Sequence, residues 1–199
     1  MSRSVGIDPS TKTGLVIIEN GIVTHQKVLT GIGEEDPKRA STLIDDLSDH
    51  IRSDDNITIE SPSYNSTGQG VSVQYGIAYM IRDMLYRRRI DYTDVAPSQL
   101  KGWVGKGNDG KPEVKANTKR IYGFEHKSGD VIDAFVLAKI AEALQTGVIL
   151  RAKQQEILMK LTGEWENVGR KRQLEIEKAA KRESKDAEQT KVSDTPCLF

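Results

Sequence analysis

Apolar positions come first in short runs and later at helical spacing. Val5-Gly6-Ile7 and Leu15-Val16-Ile17-Ile18 predict strands, and Asn20-Gly21 before Ile22-Val23 is a hairpin signal. With Val28-Leu29 closing a third strand, the chain begins as an antiparallel meander. Pro37 suits a first helical position, and Leu43, Ile44, Leu47 and Ile51 follow at helical spacing. Asn56-Ile57-Thr58-Ile59-Glu60 predicts a fourth strand, stopped by Ser61-Pro62 and followed by a Gly/Ser/Asn-rich loop to Gly70. Val73, Ile77, Met80, Ile81, Met84 and Leu85 mark a helix running into Arg87-Arg88-Arg89. Ile90 to Val95 predicts a fifth strand.

A Gly/Lys-rich loop from Gly102 to Pro112 then precedes a predicted helix around Val114 to Ile121. The strongest helix runs from Gly129 to about Gln145, with Ile132, Phe135, Val136, Ile140 and Ala143 on its apolar face. The order predicts an α/β (α+β) fold: a five-stranded mixed sheet flanked by helices. Residues 1–150 are expected to form one domain. Residues 151–199 hold eleven Lys/Arg and nine Asp/Glu, and they predict a charged, helical or partly disordered extension. Within it, Ile157 to Leu161 predicts one short capping helix.

Composition narrows the classes. No apolar run reaches the ~18–20 residues of a membrane span. Met1 to Asp8 has no signal-peptide pattern, and Cys197 is the single cysteine, so neither a disulfide framework nor a thiolate metal site is expected. The expected location is cytoplasmic. The 29 basic and 29 acidic residues cancel, yet Arg82 to Arg120 holds ten Lys/Arg against five Asp/Glu. A polyanionic partner on that stretch is compatible with a neutral total.

The candidate chemistry lies in carboxylates. Asp8 follows an apolar strand among small residues, Glu60 ends another strand, and Asp130 and Asp133 share one helix face near its start. Singly, each has a plain structural use, as a turn cap, a strand-edge charge or a helix-dipole partner. Gathered, they repel one another and resist desolvation unless a divalent cation joins them. Gly105 to Lys111 satisfies G-x-G-x-x-G, but Pro112 stands where a P-loop has its hydroxyl residue, and Gln99 to Val104 makes a poor buried strand. Nucleotide binding is not expected there.

Gly6-Ile7-Asp8-Pro9-Ser10 with Gly14, Ile59-Glu60, and Asp130-Val131-Ile132-Asp133-Ala134 resemble the motifs of the RuvC family of crossover-junction endodeoxyribonucleases. Ala96 to Lys101, through Val104-Gly105-Lys106-Gly107 to Lys111, is similar to that family's lysine-bearing loop. The resemblance implies a ribonuclease H-like fold and a Holliday junction resolvase. It implies two Mg²⁺ ions, with Mn²⁺ as a substitute, held by Asp8, Glu60, Asp130 and Asp133. Lys111 is the cation expected nearest the reaction, with Lys101 and Lys106 on neighbouring phosphates. Arg87, Arg88, Arg89, Lys115, Lys119 and Arg120 are further candidates for DNA contact, and Tyr64 for stacking at an opened crossover. The arginine triplet has a rival use at a helix carboxyl end.

The helix from Val73 to Leu85 has a wide apolar face that includes Tyr75, Tyr79 and Met80, and in that family the corresponding helix forms a homodimer. The final Asp194-Thr195-Pro196-Cys197-Leu198-Phe199 resembles short peptides that dock into replication proteins such as the sliding clamp. Two rival functions stay open: an RNA or flap nuclease on the same fold, and a branched-DNA-binding protein without catalysis.

Overall fold

The computed structural model describes residues 2–62 and 70–163. Tyr64, the charged extension beyond residue 163, and the terminal Leu198-Phe199 motif within it lie outside the described residues. Strands β1 (Arg3–Asp8), β2 (Thr13–Glu19) and β3 (Ile22–Leu29) form the antiparallel meander. Its second turn has φ of +50° at Asn20 and +84° at Gly21, the left-handed pair that a two-residue hairpin favours. Helix α1 (Lys38–His50) leads to β4 (Asn56–Glu60), which pairs parallel with β1. Helix α2 (Val71–Arg87) leads to β5 (Tyr92–Val95), parallel with β4, so the sheet order is β3-β2-β1-β4-β5. Then come α3 (Pro97–Val104), α4 (Lys111–Tyr122), α5 (Gly129–Thr146) and α6 (Ala152–Leu161).

Strand alternation assigns the faces. Val5 and Ile7 of β1, with Ile57 and Ile59 of β4, pack against Leu43, Leu47, Ile77, Ile81 and Leu85 of α1 and α2. The intervening residues, Ser4, Gly6, Asp8, Asn56, Thr58 and Glu60, fall on the α5 face and are small or polar. Thr58 Oγ1 donates to the Leu137 carbonyl at 2.7 Å, and Asn56 Nδ2 donates to the Ala141 carbonyl. Glycine lets the helix come this close. A Cβ on Gly6 would stand 2.0 Å from the Ala134 carbonyl oxygen and 2.3 Å from the Ala138 nitrogen. A Cβ on Gly14 would stand 2.0 Å from the Asp130 carbonyl oxygen.

Two local expectations are corrected. Gly102 to Val104 belong to α3 rather than to the loop, and Gln99 to Val104, unsuited by sequence to a buried strand, is helical. Pro97 starts that helix, and Gln99 Oε1 accepts from the Ala96 N–H at 2.8 Å, half of a capping box. Lys111 and Pro112 likewise open α4 rather than end the loop. Helix α6 lies in the same compact unit as the sheet. Its buried Gln154 accepts from the N–H groups of Leu150 and Arg151 at 2.8 and 3.2 Å and donates to the Trp103 carbonyl at 3.1 Å and the Tyr122 hydroxyl at 3.0 Å. All four hydrogen-bonding positions of that amide are filled, and they tie α6 to α3 and α4. No helix among the described residues is long and apolar enough to cross a membrane.

Candidate active site

Because β1 and β4 run parallel with Ile7 opposite Ile59, their last residues, Asp8 and Glu60, emerge side by side on the α5 face. Helix α5 starts at that same end of the sheet. Its first turn carries Asp130 and the next Asp133, and the bare Gly14 lets that turn rest on β2. All four carboxylates line one cleft of about 480 Å³, with Lys101 of α3 and Lys111 of α4 on its wall.

The electrostatics record the crowding. Burial, then the charges of Glu60 and Asp133, hold the Asp8 carboxyl well above the usual range. Glu60 is raised by burial, while its hydrogen bond with Asp8 and the charges of Lys111 and Lys101 pull it back. Asp8 and Glu60 therefore titrate as a pair that holds a proton more readily than two free carboxyls do. Burial first, and Glu60 next, push Asp133 from 3.8 up to about 7. For Lys111 burial acts downward, but Asp130, Asp133 and Asp8 together raise the ammonium above its usual value. Its Nζ lies 3.4 Å from Asp130 Oδ1, while Ser128 Oγ donates to Asp130 Oδ2 at 3.2 Å.

Among the described residues, no three acidic, histidine or cysteine side chains close around one point that would hold an ion. The donor set nevertheless suits one. It is made only of carboxylate oxygens, carries excess negative charge in a buried setting, and matches hard divalent cations of the Mg²⁺ or Mn²⁺ type.

The other sequence-predicted residues divide by position. Lys106 is exposed on the turn between α3 and α4, where Asp109 Oδ2 accepts from its N–H at 2.8 Å and from Asn117 Nδ2 at 3.3 Å. Lys115 borders a second hollow of about 340 Å³ that Lys111 and Asp133 also line. Lys119 and Arg120 lie farther along α4, paired with Glu125 at 2.9 Å and bonded to Asn117 at 3.1 Å.

The structure does not bring Arg87, Arg88 and Arg89 to the cleft. They end α2, a helix of 17 residues, which spans about 25 Å away from the Glu60 end. Arg88 donates to the carbonyls of Ser48 and Ile51, both at 2.8 Å, closing the end of α1, and Arg87 pairs with Asp83 at 2.7 Å.

Two residues escaped the sequence reading. Lys12, on the β1–β2 turn, lines the cleft; its signal was its place four residues after Asp8. Arg82 is buried and donates to the Glu60 carbonyl at 3.1 Å. Its signal was a charge lodged between Ile81 and Leu85 of an apolar helix face.

Among solved structures the chain is similar to Thermus thermophilus RuvC in complex with a Holliday junction substrate. The TM-score is 0.56 at 16% identity, over 69% of this chain and 91% of that one. A second Thermus thermophilus RuvC structure gives 0.51 at 16% identity, over 74% of this chain and 98% of that one. No protein-family model matches the chain, and no curated protein matches it. The likeness establishes the fold: a mixed five-stranded sheet flanked by helices, of the RuvC, ribonuclease H-like type.

Proposed function

We propose that this chain is a divalent-metal-dependent endonuclease that resolves four-way DNA junctions by paired nicks. One convergence carries the reading: Asp8, Glu60, Asp130 and Asp133, from β1, β4 and α5, line one cleft whose wall bears Lys101 and Lys111. A protein that only bound DNA would gain nothing from concentrating negative charge where phosphate must approach. The fold is shared with a RuvC solved on a Holliday junction substrate, which supports branched DNA as the substrate class.

Those four carboxylates would hold Mg²⁺ or Mn²⁺, which when bound would activate a water and stabilise the leaving oxygen of a phosphodiester. Lys111, raised above its usual value, stays an ammonium at any working pH and neutralises a phosphate oxygen. Lys101 and Lys12 hold the strand at the cleft rim, and Lys106 and Lys115 extend the cationic track along α4. The test uses end-labelled four-way, three-way, flap and linear DNA, and single-stranded RNA, with Mg²⁺ or with chelator. Symmetric Mg²⁺-dependent nicks in the four-way junction are expected. Tight junction binding with no cutting in Mg²⁺ or Mn²⁺ would leave a branch-binding protein, and preferred cutting of flap or RNA would redirect the substrate.

The pH behaviour follows from Asp133. Its carboxyl titrates at about 7 when folded against 3.8 when free. The folded state thus binds the extra proton, so in chelator this group favours folding most below pH 4, and that stability is lost as pH rises through 7. Thermal melts in EDTA should fall between pH 4 and 7 more steeply for the native chain than for Asp133→Asn. Above pH 7, Mg²⁺ should restore the native chain and do little for the variant. Parallel curves for the two proteins would remove Asp133 from the metal set.

A junction is close to twofold symmetric, so paired nicks call for two sites related by a twofold axis. We place a second copy of the chain on α2. Ser72, Gly76, Tyr79, Asp83 and Tyr86 recur at steps of four and three along its outer face, with Tyr79 and Tyr86 55% and 79% exposed. Among the described residues a Cβ added at Gly76 would meet nothing within 4 Å beyond its own helix backbone, although glycine inside a helix costs about 1 kcal/mol. Close approach of a second helix gives that glycine a use. Gly76→Arg should sediment as a monomer and leave single nicks in place of paired ones. A native chain that sediments as a monomer at working concentration would refute the arrangement.

A further inference from the structure

The most heavily bonded charge beneath the cleft is Arg82, whose side chain is only 10% exposed. It projects from the middle of α2, on the opposite face of the sheet from α5. Its guanidinium holds three elements at once. Nη1 donates to the Ala78 carbonyl of α2 at 2.8 Å, and Nη2 donates to the Glu60 carbonyl of β4 at 3.1 Å and to Asp94 Oδ1 of β5. The Tyr92 ring lies under it, 5.8 Å from the guanidinium carbon to the ring centroid.

Packing does not require this arrangement. The neighbouring inward positions of α2 are Ile77, Ile81 and Leu85, and an aliphatic residue would continue that face. Asp94, its counter-ion, is half exposed, so the pair is poorly explained as a stabilising ion pair in the core. What the planar, forked guanidinium supplies is simultaneous contact with several acceptors in a fixed geometry.

One acceptor is the main chain of Glu60, at the last residue of β4. Beyond it the described strand has one more link to β5, from the Ser61 N–H to the Val95 carbonyl at 2.9 Å. The charges that act downward on the Glu60 carboxyl are those of Lys111 and Lys101. Arg82 therefore acts on Glu60 through its peptide group.

We propose that Arg82 is a positioning residue: it locks the Glu60 peptide from the α2 side, so that the Glu60 carboxylate meets Asp8 on the α5 side. The proposal rests on the nuclease reading for its consequence in catalysis, but its geometric part stands apart from that reading. Because α2 also carries the outer stripe with Tyr79 and Asp83, the same turn of helix faces a second copy on one side and holds Glu60 on the other.

Three readouts on Arg82→Met, Arg82→Lys and Asp94→Asn test it. The first is Mn²⁺ binding to the protein without DNA, from the electron paramagnetic resonance signal of free Mn²⁺. The second is amide hydrogen exchange at Ser61 relative to Thr58 in mid-strand. The third is the Mg²⁺ dependence of junction nicking. Arg82→Met is expected to stay folded, to exchange faster at Ser61 alone, and to bind Mn²⁺ about tenfold or more weakly, the usual range for residues that orient metal ligands. It should need correspondingly more Mg²⁺ while binding junction DNA in chelator as the native chain does.

Arg82→Lys, whose ammonium cannot span all the acceptors, should fall between, and it decides the question if the methionine variant does not fold. Asp94→Asn, which leaves the Glu60 contact in place, should resemble the native chain. Native Mn²⁺ binding in a folded Arg82 variant overturns the proposal, whether or not Ser61 exchanges faster. If the native chain itself neither binds Mn²⁺ nor nicks, the nuclease reading fails, and Ser61 exchange alone decides whether Arg82 pins β4.

Discussion

Asp8→Asn is expected to lower junction nicking by at least about 10³-fold, the size of several kcal/mol of lost metal-borne stabilisation. Asp8 stands at the end of a central strand, buried, with Glu60 on the neighbouring strand and the start of α5 above it. Asparagine keeps the shape and removes the charge, so the fold should survive. The same change should raise the melting temperature in chelator, because Asp8 is held above its ordinary titration range by burial and by Glu60 and Asp133. A group whose pKa is raised on folding weakens the native state as the pH climbs from its ordinary value towards the raised one, and asparagine carries no such cost. Denaturing gels and thermal melts on the same preparation check both halves. A variant that nicks at near-native rate, or melts lower than the native chain in EDTA, would take Asp8 out of the centre of the reaction.

Gly6→Ala is expected to destabilise the chain by more than about 3 kcal/mol, beyond the usual range for one added methyl group. The reason is what the methyl would meet. A Cβ there lies 2.0 Å from the Ala134 carbonyl oxygen, 2.3 Å from the Ala138 nitrogen and 2.9 Å from the Leu137 Cβ. Backbone in the middle of a helix cannot step aside as a flexible side chain does. The helix cannot slide either, since Thr58 and Asn56 grip its carbonyls at Leu137 and Ala141, and Phe135 stacks on Phe124 with centroids 3.9 Å apart. If α5 lifts, Asp130 and Asp133 lift with it, so any folded fraction should have lost activity. Urea denaturation followed by circular dichroism measures the effect. A loss under 1 kcal/mol would mean that the seat of α5 is looser than these distances.

Much of this was legible in the sequence because two periodicities carry it. The apolar runs placed all five strands, and strand endings placed Asp8 and Glu60 at chain reversals, where a site can open. The helical spacing of α5 put Asp130 and Asp133 on one face. The resemblance named the four carboxylates as a set, and the fold then set them around one cleft.

What escaped depended on contacts between elements. The role of Gly6 and Gly14 as a seat appears only when the helix is laid on the sheet. Helix α3 was hidden because Gly102 and Trp103 dilute its helical signal, although Pro97 and Gln99 marked its start. That the Arg87-Arg88-Arg89 run lies at the end of α2 away from the cleft could not be read from a local charge count. For Arg82 the sequence offered only a lone charge on an apolar stripe, and the partners that explain it are distant in sequence.

On the proposed nuclease reading, the seating of α5 also sets when in its own synthesis the chain gains its acidic set. The carboxylates arrive in the order 8, 60, 130, 133, so a growing chain has its whole sheet while it has only half of its acidic set. Until α5 has been made and has settled over Gly6 and Gly14, there is nothing to cut with. On that reading, severing the chain between α4 and α5 should yield two inert pieces, each holding two of the four carboxylates.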